Sequence, residues 1–324
     1  MRKKTIIGIL FFSVAIFACG FCFFLFKKGI NAKNSGIDNG VAVQVASQFP
    51  ATKDKIKILF LGDLMFDRWI RQVSEKRGDD FVFQKVEKLF QSEDLVVGNL
   101  EGPITDKSSV SVASELGDHN NYIFTFPPQT AEILARENIK LVSLGNNHIL
   151  NQGQAGLTET EKYLDSFGVS YFCTDDLRFR IYDLRNIKIA FVCHNQFEDN
   201  AADKTLEDIK TAKKSNVDLV ILYTHWGVEF ASDPSQKIKN LAHEFIDNGA
   251  DLIIGSHPHV VQTKEIYKGK TIYYSLGNFI FDQYFRDDTQ KGIGVEAAID
   301  PATKKIDFKE YNFSLLKNGQ TVQN

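Results

Sequence analysis

Five short apolar runs in this chain each empty into a polar turn, and that repetition limits the folds open to it. Lys57 to Leu61 stops at Gly62-Asp63, Leu95 to Val97 at Gly98-Asn99, and Lys140 to Leu144 at Gly145-Asn146-Asn147-His148. Asp218 to Tyr223 stops at Thr224-His225-Trp226-Gly227, and Asp251 to Ile254 at Gly255-Ser256-His257-Pro258-His259. Runs this short, rich in branched residues and bounded by glycine, are buried strands. Helix-length stretches lie between them: Phe83 to Phe90, Gln129 to Glu137, Leu157 to Phe167, Leu206 to Lys214 and Gln236 to Asn248. Strands are also expected at Val169 to Phe172, Lys188 to Cys193 and Thr271 to Ser275, with an antiparallel pair at Gly294 to Ile299 and Ile306 to Phe313. Alternation of this kind specifies an α/β fold, a sheet covered by helices.

The chain has 324 residues, 43% hydrophobic and 24% charged, with a formal net charge of −3. That balance is average for a globular protein and gives no basic face for nucleic acid, so nucleic-acid binding is excluded as a function class. The 27 phenylalanines point to a sizeable core. Of the four cysteines, Cys19 and Cys22 lie in an N-terminal apolar run, while Cys173 and Cys193 each end a strand-like segment. A Cys173 to Cys193 bridge is open to a protein outside the cytoplasm, but two buried free thiols are the expectation here.

Arg2, Lys3 and Lys4 precede an uncharged stretch from Thr5 to Phe26, which Lys27 and Lys28 follow. About 20 apolar residues span a bilayer, whereas a cleaved signal has a shorter apolar region and a small-x-small cleavage site that is missing here. Residues 5–26 are therefore expected to be a single-pass transmembrane helix. Ile16-Phe17-Ala18-Cys19 is only a faint lipoprotein processing site, because Phe17 is bulky. The slight basic excess before the span places residues 1–4 in the cytoplasm and the large domain outside the cell membrane. Residues 27–54 are small and polar, without periodicity, and are expected to be a flexible linker. The main domain then covers 55–316, and 317–324 is a tail.

The five turns belong together, because loops at the carboxyl ends of strands in an α/β sheet converge on one edge. Four of the seven histidines fall in them. Pro258 restricts the backbone of His257 and holds the two flanking imidazoles in a fixed relation. Carboxylate, amide oxygen and imidazole form a donor set suited to Mn²⁺, Fe²⁺ or Zn²⁺, and no cysteine is present to suggest a structural zinc.

With these motifs in order, the chain from about Lys57 to Gln283 resembles the bacterial capsule-synthesis family of the poly-γ-glutamate type, a branch of the calcineurin-like metallophosphoesterases. The matching phrases are Gly62-Asp63 with Arg68, Asn99-Leu100-Glu101, Asn146-Asn147-His148, His225-Trp226-Gly227 with Glu229, Gly255 with His257-Pro258-His259, and Ser275-Leu276-Gly277-Asn278-Phe279. The resemblance implies a four-layer sandwich, two mixed β-sheets face to face with helices outside. It implies metal ligands at Asp63, Asn147, His225, His257 and His259, and a leaving-group acid at His148. Three departures stand out. Met65 occupies the place of a second metal-binding His, Asn99 that of a bridging Asp with Glu101 two residues on, and Asn151 a place where the capsule family often has Asp. Either Glu101 supplies the missing carboxylate or the site holds one ion. On the Met65 departure, the expectation is one tight metal at Asn147, His225 and His257, and a weak second near Asp63 and His259.

Arg68, beside such a site, can hold a phosphate or carboxylate bidentately. Glu229 is open to three readings, general base, solvated carboxylate or orienter of His225; the last is favoured because metal-bound His needs such a partner. Trp226 is expected to pack, and Ser275 to Gln283 to form a turn closing the site. His119, His194 and His243 lie outside the motifs. The resemblance implies a part in capsule biosynthesis or export, with an anionic polymer or phosphoester as substrate and other membrane components of a capsule synthase as partners. The alternative is a phosphoesterase or a γ-glutamyl hydrolase or transferase at the cell envelope, working through one or two divalent ions.

Overall fold

The computed structural model describes residues 41–45 and 54–324. One sheet has seven strands, in the order β1 (Val41–Val45), β6 (Phe179–Leu184), β7 (Ile187–Asn195), β8 (Leu219–His225), β9 (Leu252–Ser256), β11 (Lys270–Tyr273) and β10 (Lys264–Tyr267). The other has eight. Its order is β15 (Thr321–Gln323), β14 (Ile306–Leu315), β13 (Lys291–Ile299), β2 (Ile56–Leu64), β3 (Leu95–Leu100), β4 (Ile139–Ser143) and β5 (Ser170–Phe172), with β12 (Asn278–Ile280) beside the end of β2. Both sheets are mixed: β2, β3, β4 and β5 run parallel, as do β7, β8 and β9, while β13 and β14 are antiparallel.

Strand alternation sorts the apolar residues into three cores. Even-numbered Ile58 and Phe60 of β2 turn toward Phe191, Ile221 and Ile254 of the other sheet and fill the space between the two. Odd-numbered Leu59 and Leu61 face outward, onto Ile70 of α1 (Arg68–Arg77), Phe90 of α2 (Glu87–Gln91), Leu134 of α3 (Gln129–Arg136) and Leu164 of α4 (Gly153–Ser166). The outer face of the seven-stranded sheet packs Val220 and Leu222 on Ile209 of α5 (Ala201–Lys214) and Phe245 of α6 (Gln236–Asp247). Helix, sheet, sheet, helix is the four-layer order the sequence led us to expect.

The structure also corrects the sequence reading. Val41-Ala42-Val43-Gln44-Val45, inside the expected linker, is a strand paired in parallel with β6; its alternating β-branched residues suit a sheet edge. The transmembrane helix expected at residues 5–26 lies outside the described residues, and among those described no helix is long and apolar enough to cross a membrane. Cys173 and Cys193 are bonded, not free thiols, with 5.4 Å between their Cα atoms. Cys173 leaves β5 of one sheet and Cys193 lies on β7 of the other, so the bridge ties the two sheets together. It sits under Gly145, where a Cβ would strike both sulfurs.

Candidate metal centre

Register carries the polar residues to one end of the sandwich. Across the eight-stranded sheet, Asn278, Asp63, Asn99 and Ser143 stand in one row. Across the other, Asn195, His225 and Ser256 stand in a second. Glu101 follows β3, the Asn146-Asn147-His148 turn follows β4, and His257 and His259 follow β9. Both histidines have positive φ, 96° and 58°, a conformation that costs a non-glycine residue on the order of 1–3 kcal/mol and tends to occur at functional sites.

The acidic half is cross-linked by amides. Asn99 Nδ2 donates to Asp63 Oδ1 at 2.8 Å and to Glu101 Oε2 at 3.3 Å, and it also lies 3.3 Å from His225 Nδ1. Asn99 Oδ1 accepts from Asn146 Nδ2 at 3.0 Å. Burial alone would raise Asp63, but the hydrogen bond from His259 Nδ1, 3.2 Å from Asp63 Oδ2, and then His225 and Asn99 hold its carboxyl far below the usual range. Burial, and after it the neighbouring Asp63, push Glu101 well up. Both are fully buried, and Glu101 Oε1 has no hydrogen-bond partner among the described residues.

Proton positions on two imidazoles follow from their neighbours. Ser256 gives its one hydroxyl proton to the Thr224 carbonyl at 2.9 Å, so its oxygen accepts from His225 Nδ1–H at 3.0 Å. His225 Nε2 is then a bare lone pair, and it faces Asn147 Oδ1, another acceptor, at 2.8 Å. Asn278 Nδ2 donates to Gln283 Oε1 and to the Thr289 carbonyl, each at 3.0 Å, which leaves Asn278 Oδ1 to accept from His259 Nδ1–H at 3.0 Å. His259 Nε2 is therefore also a lone pair, 3.5 Å from the unpartnered Glu101 Oε1. Burial, followed by the charge of His257, drives His225 well below the ordinary imidazole range. Burial and then His259 take His257 down to about 3, and its Nδ1 has no hydrogen-bond partner among the described residues either.

Lone pairs gathered in a buried space favour a cation or a proton among them, because an unpaired buried polar atom costs about 1–3 kcal/mol. Asp63, Glu101 and His259 each offer an atom within 4.8 Å of the others, as do Glu229, His257 and His259. The residues present therefore fit a divalent ion, and the two groups share His259. Of the two alternatives left open by the sequence, the geometry favours Glu101 as the carboxylate beside His259. Glu101 supplies a carboxylate, while Met65 lies in the helix-side core with its sulfur accepting the Asp67 N–H at 3.0 Å.

Other expected residues fall differently around this centre. His148 lies against Phe124, ring centroids 4.3 Å apart, and burial takes it down to about 4. Its Nδ1 is 3.1 Å from Asn151 Oδ1, which also accepts the Phe124 N–H at 2.8 Å. Arg68 borders the site, but its guanidinium is paired with Asp282 and Asn121 and lies near the rings of Phe124 and Phe281. Glu229 is exposed and groups with His257 and His259; the orienter of His225 is Ser256 instead. Sequence reasoning passed over Ser256 and took Asn278 only as part of a closing turn. Their one signal was a place inside the phrases Gly255 to His259 and Ser275 to Gln283.

Residues 57–283 match the model of the family described as bacterial capsule synthesis protein PGA_cap. The PGA biosynthesis protein CapA of Bacillus subtilis (strain 168) is 32% identical over 249 residues, 71% of this chain and 64% of that protein. The capsule biosynthesis protein CapA of Bacillus anthracis is 29% identical over 254 residues, 71% of this chain and 61% of that protein. The matched part thus spans a little over three fifths of these relatives. The crystal structure of a 5'-nucleotidase from Candida albicans SC5314 overlays with a TM-score of 0.44 at 13% identity, covering 84% of this chain and 53% of that one. The family match runs from the second residue of β2 through Gln283, just past the strand that carries Asn278, and so takes in every residue of the centre: the chain belongs to the bacterial capsule synthesis protein family.

Proposed function

We propose that this chain is a membrane-anchored component of capsule polymer synthesis whose domain holds a divalent transition ion, Mn, Fe or Zn, and cleaves a phosphoester or amide bond at the outer face of the cell. The observation that carries the reading is the pair of lone pairs, His225 Nε2 on Asn147 Oδ1 and His259 Nε2 on Glu101 Oε1, at 2.8 and 3.5 Å. Asp63, Glu101, Asn147, His225, His257 and His259 would hold the ion. When bound, the ion supplies Lewis acidity to an ester or amide oxygen.

The remaining chemistry belongs to the chain. Asn99 fixes the spacing of two carboxylates, and Ser256 and Asn278 set which nitrogen of each imidazole is free. His148 borders the same cavity as His259 and Glu229. Neutral in this state, it gains a proton when an anionic group enters beside it, and it then serves the leaving group as an acid. The Cys173 to Cys193 bond supports a place outside the cytoplasm, since such bonds persist in oxidising compartments, and the sequence of residues 5–26 supports the anchor. Protease added to intact protoplasts should remove the domain.

Turnover tests the reaction. The metal-loaded full chain should hydrolyse a nitrophenyl phosphodiester or a γ-glutamyl amide, and His148→Ala should lower kcat by about 10²–10⁴-fold with metal content unchanged. A fully loaded chain inert toward both bond types would remove the hydrolytic reading.

A further inference from the structure

Two cavities open side by side on the face that carries the metal centre. The first, about 260 Å³, is bounded by His148, His259 and Glu229 together with Phe124, Tyr122 and Phe281. The second, about 300 Å³, runs outward past Trp69, Gln72 and Tyr284. Arg68, Leu116, Gln283 and Phe285 line both, so the two are lobes of one groove.

The walls of that groove mix polar side chains, Gln72, Ser111, Ser114 and Gln283 among them, with large apolar ones that stand exposed. Leu116 is 64% exposed, Phe285 48%, Tyr122 45% and Trp69 43%, and all four line it. Exposed apolar side chains scattered singly mean little, but a contiguous set running out from a reactive centre is a binding surface. Charge adds a second constraint. Among the described residues, Arg68 is the only Lys or Arg lining either lobe, and it is already paired with Asp282, while Glu229 adds a negative charge at the metal end. Away from the ion, a chain of carboxylates laid along this groove would meet no unpaired Lys or Arg among the described lining residues, and it would meet Glu229.

Resting on the metal centre of the proposed function, we infer that its substrate is an amphiphile with a single anionic head and an apolar tail, not a stretch of polyanion. The head reaches the imidazoles, and the tail lies along Leu116 and Phe285 toward Trp69. This divides the labour of the site. The ion and imidazoles take the charge, and the groove takes hydrophobic area, which is non-directional and tolerates a flexible chain.

Calorimetry on the metal-loaded full chain in phosphatidylcholine vesicles tests this with three probes, methyl phosphate, hexyl phosphate and a hexaglutamate peptide. With its five extra methylenes about half buried, hexyl phosphate should bind about 30-fold more tightly than methyl phosphate. It should also shift the emission of Trp69, a signal lost in Trp69→Phe because the chain's other tryptophan, Trp226, is fully buried. The double variant Leu116→Ser with Phe285→Ser, both at exposed positions, should bring the two phosphates to within about threefold of each other and leave metal content unchanged. Equal affinity for the two phosphates in the loaded wild-type chain, or hexaglutamate binding more tightly than hexyl phosphate, overturns the inference alone. Failure of both phosphates to bind the loaded chain overturns the metal centre as well.

Discussion

In the half-site from the eight-stranded sheet one amide, Asn99, ties the carboxylates together, while in the half-site from the seven-stranded sheet each imidazole has a side-chain partner of its own. Asp63, Glu101 and Asn146 are each hydrogen-bonded to Asn99, across three neighbouring parallel strands and the turns that follow them. His225 and His259 take their proton positions from Ser256 and Asn278, which would not touch the ion. His257 and His259 also sit in positive-φ backbone that the surrounding fold must stabilise. The acidic half is therefore preformed by sheet geometry, and the imidazole half is preformed by its supports.

The largest effect should come from breaking the acidic half. Asp63→Ala removes a buried carboxylate that Asn99 and His259 both contact, so metal content should fall to background. Dialysis followed by elemental analysis checks it, and retention of the ion would place Asp63 outside the donor set. Breaking a support should cost less. Ser256→Ala frees His225 Nδ1 to lose or gain its proton, and metal affinity should drop about 10–100-fold, with the wild-type stoichiometry restored at high metal concentration. An unchanged affinity would show that Ser256 does not orient His225.

The third prediction concerns Met65. Since its side chain belongs to the helix-side core, Met65→His should bury an imidazole among apolar groups and destabilise the fold by about 1–3 kcal/mol, without adding a metal ion. Thermal melting and metal counting read this together. A second tightly bound ion gained by the variant would return Met65 to the site.

The smallest effect lies outside both halves and serves as a control. Burial, and then the charge of Glu296, raise Glu93 from 4.5 to about 7. The folded chain thus binds more protons than the unfolded chain between roughly pH 5 and 7, and stability falls as pH rises through that window. Glu93→Gln should remove this loss, raising the melting temperature relative to wild type by about 2–4 °C at pH 8 and by less at pH 5. Metal content should not change. Equal shifts at both pH values would show that Glu93 is not held protonated.

Much of this architecture is legible in the chain itself, because it is written in local signals. Branched apolar runs ending at Gly62, Gly98, Gly145 and Gly255 mark the strands and the turns that carry Asp63, Asn99, His148 and His257. Less legible is whatever depends on a partner far away in sequence. Cys173 and Cys193 are 20 residues apart in the chain, and their bond becomes evident only when β5 and β7 are seen to face each other across the core. α1 was hidden because only Ile70 and Val73 among its apolar residues are buried, too few for a clear helical period. Glu101 could be named as the substitute carboxylate from its spacing to Asn99, but its contact with His259 could not. Ser256 looks like any serine in a turn until Thr224 is found to take its proton.

The central claim is that imidazole nitrogens of His225, His257 and His259 belong to the donor set of the bound cation. Electron spin-echo modulation on the full chain loaded with Mn²⁺ observes bound nitrogen directly. The account predicts strong ¹⁴N modulation from coordinated imidazole in the wild-type chain, diminished in His225→Ala and in His257→Ala. An echo free of nitrogen coupling in the loaded wild-type chain, or one that both variants leave unchanged, would contradict it.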